Sequence, residues 1–248
     1  MTDAGSAQVV MGNHEFNAIA WATPDPDVDG EFLRTRRGEK GGNNLHQHKE
    51  FLAEVGADSP VHKGWIDWFM QMPLWIETPS FRTVHACWSP AHVEALSPLL
   101  AAGQRLTPGL LLEASRKGTS AHAAVEVLLK GPEVSLPAGV TFKDHAGKIR
   151  GEMRLAWWRH AAETLREGYI GPPAVDVPDV PLPASRRLPE PDRPTFFGHY
   201  WFREGVDPLA PVGRRSACVD FSVAGEGLMV AYRFDGEEEL SAGKFAWC

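Results

Sequence analysis

The sequence predicts an α/β protein, α+β in layout, on three observations. Short apolar runs alternate with segments of helical period from Gln8 to Leu129. The tail from Thr195 onward is strand-rich and punctuated by glycine turns. Several apolar runs end in an amide or imidazole beside a glycine or alanine, as strands do where α/β proteins keep their chemistry. The length, 248 residues, with 43% hydrophobic and 23% charged content, is enough to bury an ordinary globular core. One domain spanning 1–248 is expected. A net charge of -7 argues against nucleic acid and anionic membranes as partners. No apolar run approaches a membrane span, and MTDAGSAQ lacks the basic and hydrophobic regions of a signal peptide. Three scattered cysteines, Cys87, Cys218 and Cys248, suit reduced thiols and a cytoplasmic location.

In chain order, Val9-Val10-Met11 reads as a strand delivering Gly12-Asn13-His14-Glu15 to a sheet edge. Glu15 to Trp21 follows as a helix, with Glu15 orienting or capping locally, and it stops at Thr23–Gly30. Asp25, Asp27 and Asp29 alternate as in a calcium loop, but the later glutamate and the glycine position are missing. Residues 31–43 are basic and glycine-rich, a surface excursion. Helices are expected from Asn44 to about Val55 and from Pro60 to Met72, where Trp65, Ile66, Trp68 and Phe69 form an apolar stripe. His46 and His48 would lie on different helix faces, so solvated or capping roles are expected rather than a shared metal.

Strands at 74–78 and 81–88 are joined by a Pro79-Ser80 turn. Ser89-Pro90 then caps a helix through Leu100. Residues 104–129 are helical and stop at Lys130-Gly131-Pro132; residues 133–147 form a loop or small hairpin. Periodicity leaves residues 149–158 open between strand and helix. Residues 168–194 hold eight prolines and read as an extended ordered loop. Four strands follow, within 195–202, 217–223, 227–234 and 244–248, with turns at Gly225-Glu226-Gly227 and Asp235-Gly236.

Three expected strand ends therefore offer metal-ligating side chains: Asn13 with His14, His85, and His199. Neutral amide and imidazole donors suit zinc, manganese or iron. Gly12-Asn13-His14-Glu15, then Val84-His85-Ala86, then Gly198-His199, resembles the second half of the calcineurin-like metallophosphoesterases. It is most similar to the branch of protein serine/threonine phosphatases and symmetrical diadenosine-tetraphosphate hydrolases, and the pair Cys218–Val223 and Leu228–Tyr232 resembles that branch's final hairpin. The resemblance implies a metallophosphoesterase-type β-sandwich flanked by helices, with the first strands missing. It implies Asn13, His85 and His199 as ligands of one of two divalent ions, and His14 as the catalytic imidazole. The implied reaction is hydrolysis of a phosphate ester by metal-activated water.

The family's two earlier aspartate motifs occur nowhere in the sequence. They would supply the ligands of the other ion, the bridging carboxylate, an aspartate partner for His14 and a phosphate-binding arginine. The expectation is thus one weakly held ion, no dinuclear centre and weak or no hydrolysis by the chain as given, with the natural protein beginning upstream of Met1. Arg34, Arg36, Arg37, Lys130, Arg150, Arg154 and Arg159 are candidate phosphate contacts, and Trp157 with Trp158 are core residues before they are base-stacking ones. The segments about 44–72 and 104–130 are inserted between the metal motifs and are placed to shape a substrate pocket. Candidate substrates are a phosphoprotein, a dinucleoside polyphosphate or another phosphorylated small molecule. Two alternatives stand beside hydrolysis: a non-catalytic remnant that binds a phosphorylated ligand or partner and, last, a structural zinc domain using His85 and His199.

Overall fold

The computed structural model describes residues 1–248 except 3, 144–146, 148 and 172–174. Parts of the expected 133–147 and 168–194 loops therefore lie outside the described residues. The architecture is mixed α/β. Helices are α1 (Asn13–Ala22), α2 (Gly38–His46), α3 (Lys49–Val55), α4 (Pro60–Phe69), α5 (Pro90–Leu96), α6 (Pro108–Ser115), α7 (Ser120–Lys130) and α8 (Leu165–Gly168). Strands are β1 (Trp75–Glu77), β2 (Arg82–Val84), β3 (Glu133–Ser135), β4 (Phe142–Lys143), β5 (Ile149–Arg150), β6 (Glu152–Leu155) and β7 (Tyr169–Ile170), then β8 (Thr195–Phe197), β9 (Ser216–Cys218), β10 (Asp220–Phe221), β11 (Leu228–Tyr232) and β12 (Phe245–Trp247). Among the described residues no helix is long and apolar enough to cross a membrane.

The chain groups into two compact units that interleave in sequence. One comprises Met1–Ile76 with Pro90–Leu129; the other comprises Glu77–Ser89 with Lys130–Cys248. The first unit is helical. Its α1 buries Phe16, Ile19, Ala20 and Trp21 and packs on α4, which also contacts α3. Ser59 caps α4 by accepting the His62 N–H at 3.0 Å, and Pro60 fills the first helical position, where its missing donor costs nothing. Buried Ala121, Ala124, Val125, Leu128 and Leu129 give α7 an apolar face at the helical period.

Two expectations fail here. Residues 8–11 form no strand: Met11 donates to the Pro73 carbonyl at 2.8 Å, and an isolated bond of that kind is not a ladder. Asn13 and His14 consequently open α1 instead of ending a strand. Helix also begins at Gly38, not Asn44, and the glycines expected to mark a loop lie inside it. Gly41 is there for close packing, since a Cβ on it would stand 2.3 Å from the Arg36 carbonyl carbon.

In the second unit β2, β8 and β9 run parallel, paired Arg82↔Thr195 and Thr83↔Phe196, then Thr195↔Ser216 through Phe197↔Cys218. Parallel strands are covered on both faces, which matches the buried Val84, Phe197, Ala217 and Cys218. The turn before β2 closes where the Thr78 N–H donates to the Phe81 carbonyl at 2.9 Å, at the expected Pro79-Ser80 position. Antiparallel β3-β6-β7 and β4-β5 follow, so the segment left open between helix and strand is strand over 149–150 and 152–155, and neither strand nor helix over 156–158. Val134, Met153, Leu155 and Leu165 form its core with Val177 and Leu182 of the proline-rich loop, whose described part is anchored by these two side chains. The tail adds antiparallel β10-β11-β12. Its turn requires glycine at 227, where a Cβ would fall 1.8 Å from the Phe221 carbonyl oxygen.

Candidate functional site

His85 and His199 are brought together by strand register. β2 and β8 are parallel neighbours, and the ladder continues past their ends where the Gly198 N–H donates to the His85 carbonyl at 2.9 Å. Both histidines therefore leave the sheet at its carboxyl edge. Their ring centroids lie 5.2 Å apart with planes at 60°. Gly198 is set tightly, a Cβ there meeting Asp220 Cβ at 3.1 Å. His199 itself has φ 73°, a left-handed backbone that costs a non-glycine residue of order 1 kcal/mol and that surrounding structure must hold.

Arg154, on β6, reaches this pair. Its Nη1 lies 2.9 Å from His199 Nε2, and its Nη2 donates to Glu133 Oε1 at 2.8 Å. Glu133 and Arg154 face each other across β3 and β6, so the ion pair is a cross-strand pair that aims the guanidinium. An arginine cannot give up its proton, so Nε2 of His199 accepts and the ring proton sits on Nδ1. The floor is aromatic and apolar. Trp157 Nε1 donates to the Ala86 carbonyl at 2.9 Å, and the Trp158 and Tyr200 rings meet at 4.7 Å. Trp157 and Trp158 are thus core residues, both almost fully buried. Burial pushes the Cys87 thiol and the Tyr200 phenol well up, which makes Cys87 an inert core thiol and no nucleophile.

Asn13 and His14 belong to the first unit. They occupy the first turn of α1, where the Gly12 N–H donates to Glu15 Oε2 at 2.9 Å, so Glu15 caps the helix as expected. His14 is exposed, and Asn13 partly so. His46 is exposed at the end of α2, but His48 is neither solvated nor capping. Its ring packs against Phe51 at 5.1 Å and Trp21 at 6.1 Å.

By donor type and spacing His85 and His199, ring centroids 5.2 Å apart, are the imidazole pair that would hold a single ion. Among the described residues no group of three histidine, cysteine or carboxylate side chains stands ready to hold a metal, and the Arg154 charge opposes a divalent cation at His199 Nε2. The Arg154–His199 contact is the feature that sequence reasoning missed. Arg154 stands among the candidate cations, but nothing in a strand pattern points it at a histidine 45 positions away.

Comparison of the chain with protein-family profiles, with curated proteins and with solved structures found no match.

Proposed function

We propose that this protein is a phosphoesterase of the calcineurin-like metallophosphoesterase type, built on that family's sandwich and acting slowly on a phosphate monoester, a phosphoprotein or a dinucleoside polyphosphate in the cytoplasm. The observation that supports this reading is the pair His85 and His199 at the matching carboxyl ends of two adjacent parallel strands. Asn13 and His14, ligand and leaving-group acid by motif resemblance alone, belong to the first unit and carry no part of this reading. One manganese, iron or zinc ion, when bound, would neutralise charge on the phosphoryl oxygens and activate water. The Nδ1 proton of His199, fixed by Arg154 at the other nitrogen, leaves its Nε2 lone pair as the donor such an ion must win from the guanidinium. Arg154 then becomes available to a phosphoryl oxygen, which its planar fork suits.

The Arg154–His199 hydrogen bond also favours a second reading, in which the same edge binds a phosphorylated ligand without hydrolysing it. Hydrolysis of p-nitrophenyl phosphate with added Mn2+ separates them. The expected result is slow, metal-dependent turnover that falls to background in His85→Ala and His199→Ala. Absence of turnover with saturable ester binding that Arg154→Ala abolishes would establish the second reading. Neither turnover nor binding would refute both.

A further inference from the structure

We propose that Arg154 is a latch on the His85–His199 edge: it denies His199 to a divalent cation until a phosphoryl group draws its guanidinium away, so that cation and phosphoryl ligand each strengthen the other's binding. This rests on the phosphoesterase reading above and concerns the regulation of that site. Arg154 Nη1 lies 2.9 Å from His199 Nε2. A guanidinium has donors only, so the contact occupies the one lone pair that this ring nitrogen can offer. A cation coordinated by Nε2 needs the same lone pair, and the positive charge of Arg154 opposes it as well. Arginine and cation therefore exclude one another at that atom.

How firmly the latch is held follows from its other contacts. Arg154 Nη2 donates to Glu133 Oε1 at 2.8 Å, and the Glu133 side chain is 46% exposed, so water competes for that carboxylate. Arg154 Nε is buried with no partner among the described residues. The guanidinium thus leaves one donor unsatisfied in its present seat, a cost that a new acceptor removes. The Arg154 side chain is 31% exposed, and His85 and His199 are partly so, which lets a phosphoryl group meet the guanidinium from solvent without a closed cavity. Two phosphoryl oxygens suit the planar fork better than one imidazole nitrogen does. Withdrawal of Arg154 frees Nε2. By linkage, the factor that a phosphoryl ligand adds to cation affinity is the factor that the cation adds to the affinity for that ligand.

The test reads Mn2+ binding to the full chain by the electron paramagnetic resonance of the free ion, with and without inorganic phosphate too dilute to precipitate the metal. Without phosphate, Arg154→Met should bind Mn2+ about tenfold more tightly than the unmodified chain, because a charge-assisted hydrogen bond no longer competes. Arg154→Gln, which keeps a polar group there without the charge, should fall between the two. An arginine with only a structural role would give the opposite sign. Phosphate should raise the Mn2+ affinity of the unmodified chain by a larger factor than that of Arg154→Met. Adding His199→Ala to Arg154→Met should abolish the gain, and a gain that survives there would overturn the proposal. Binding by the unmodified chain that neither Arg154 variant improves would also overturn it and leave the phosphoesterase reading standing. No Mn2+ binding by any of these chains would end both.

Discussion

His48 shows how one side chain can tie local packing to pH. Its pKa is lowered from 6.5 to about 4, first by burial and then by the cationic neighbours His62, Arg34, His14 and Arg36. The folded protein holds the ring neutral where an unfolded chain would begin to take up a proton. Stability contributed by the neutral ring is therefore fully present above about 6.5 and is lost progressively as the pH falls toward about 4. His62, lowered in the same direction chiefly by burial, reinforces the trend. Thermal unfolding followed from neutral pH downward should show a melting temperature that drops through this window, and His48→Gln should flatten the drop. Glu15 illustrates what is legible at this scale: a carboxylate three residues after a helix-opening glycine already implies its cap. The fate of His48 was not legible, because rings from α1, α3 and α4 decide it together.

At the scale of elements, β8 holds the second unit's sheet together. Phe197 is 1% exposed and packs between Trp157 and Trp158, each at 4.9 Å between centroids. Phe197→Ala removes an aromatic from that sandwich and is expected to cost about 3–5 kcal/mol, read by chemical denaturation. Ser59→Ala, which deletes the α4 cap, should cost only about 1 kcal/mol in the same measurement. The strands β2 and β8 were visible in advance as apolar runs ending in His85 and Gly198-His199. α2 was hidden by Gly41 and Gly42, which read as loop until the close approach to Arg36 explains one of them. β6 alternates over only four residues, Glu152–Leu155, and the buried run Ala156-Trp157-Trp158 directly after it masks that short period.

The whole molecule carries a net charge of -7, and that sign governs its long-range encounters. A mobility-shift assay at physiological salt should show no retention of duplex or single-stranded nucleic acid; a shifted band would contradict the charge argument. The mixed α/β class was legible from the alternation of patterns, whereas the grouping into two units was not. Each unit takes two segments of chain, and the short piece Glu77–Ser89 is surrounded in sequence by residues of the other unit. The pairing of β2 with β8 has a consequence for how such a site can vary. Its geometry is counted in ladder steps along two strands, each about 3.3 Å, and not in residues of chain between them. Loops of any length can be exchanged between His85 and His199 without moving either imidazole. Deleting one residue inside Thr195–Phe197 would shift His199 by a full step and turn it to the opposite face. Sequence spacing between the two histidines is therefore free to drift, while the length of a three-residue strand is not.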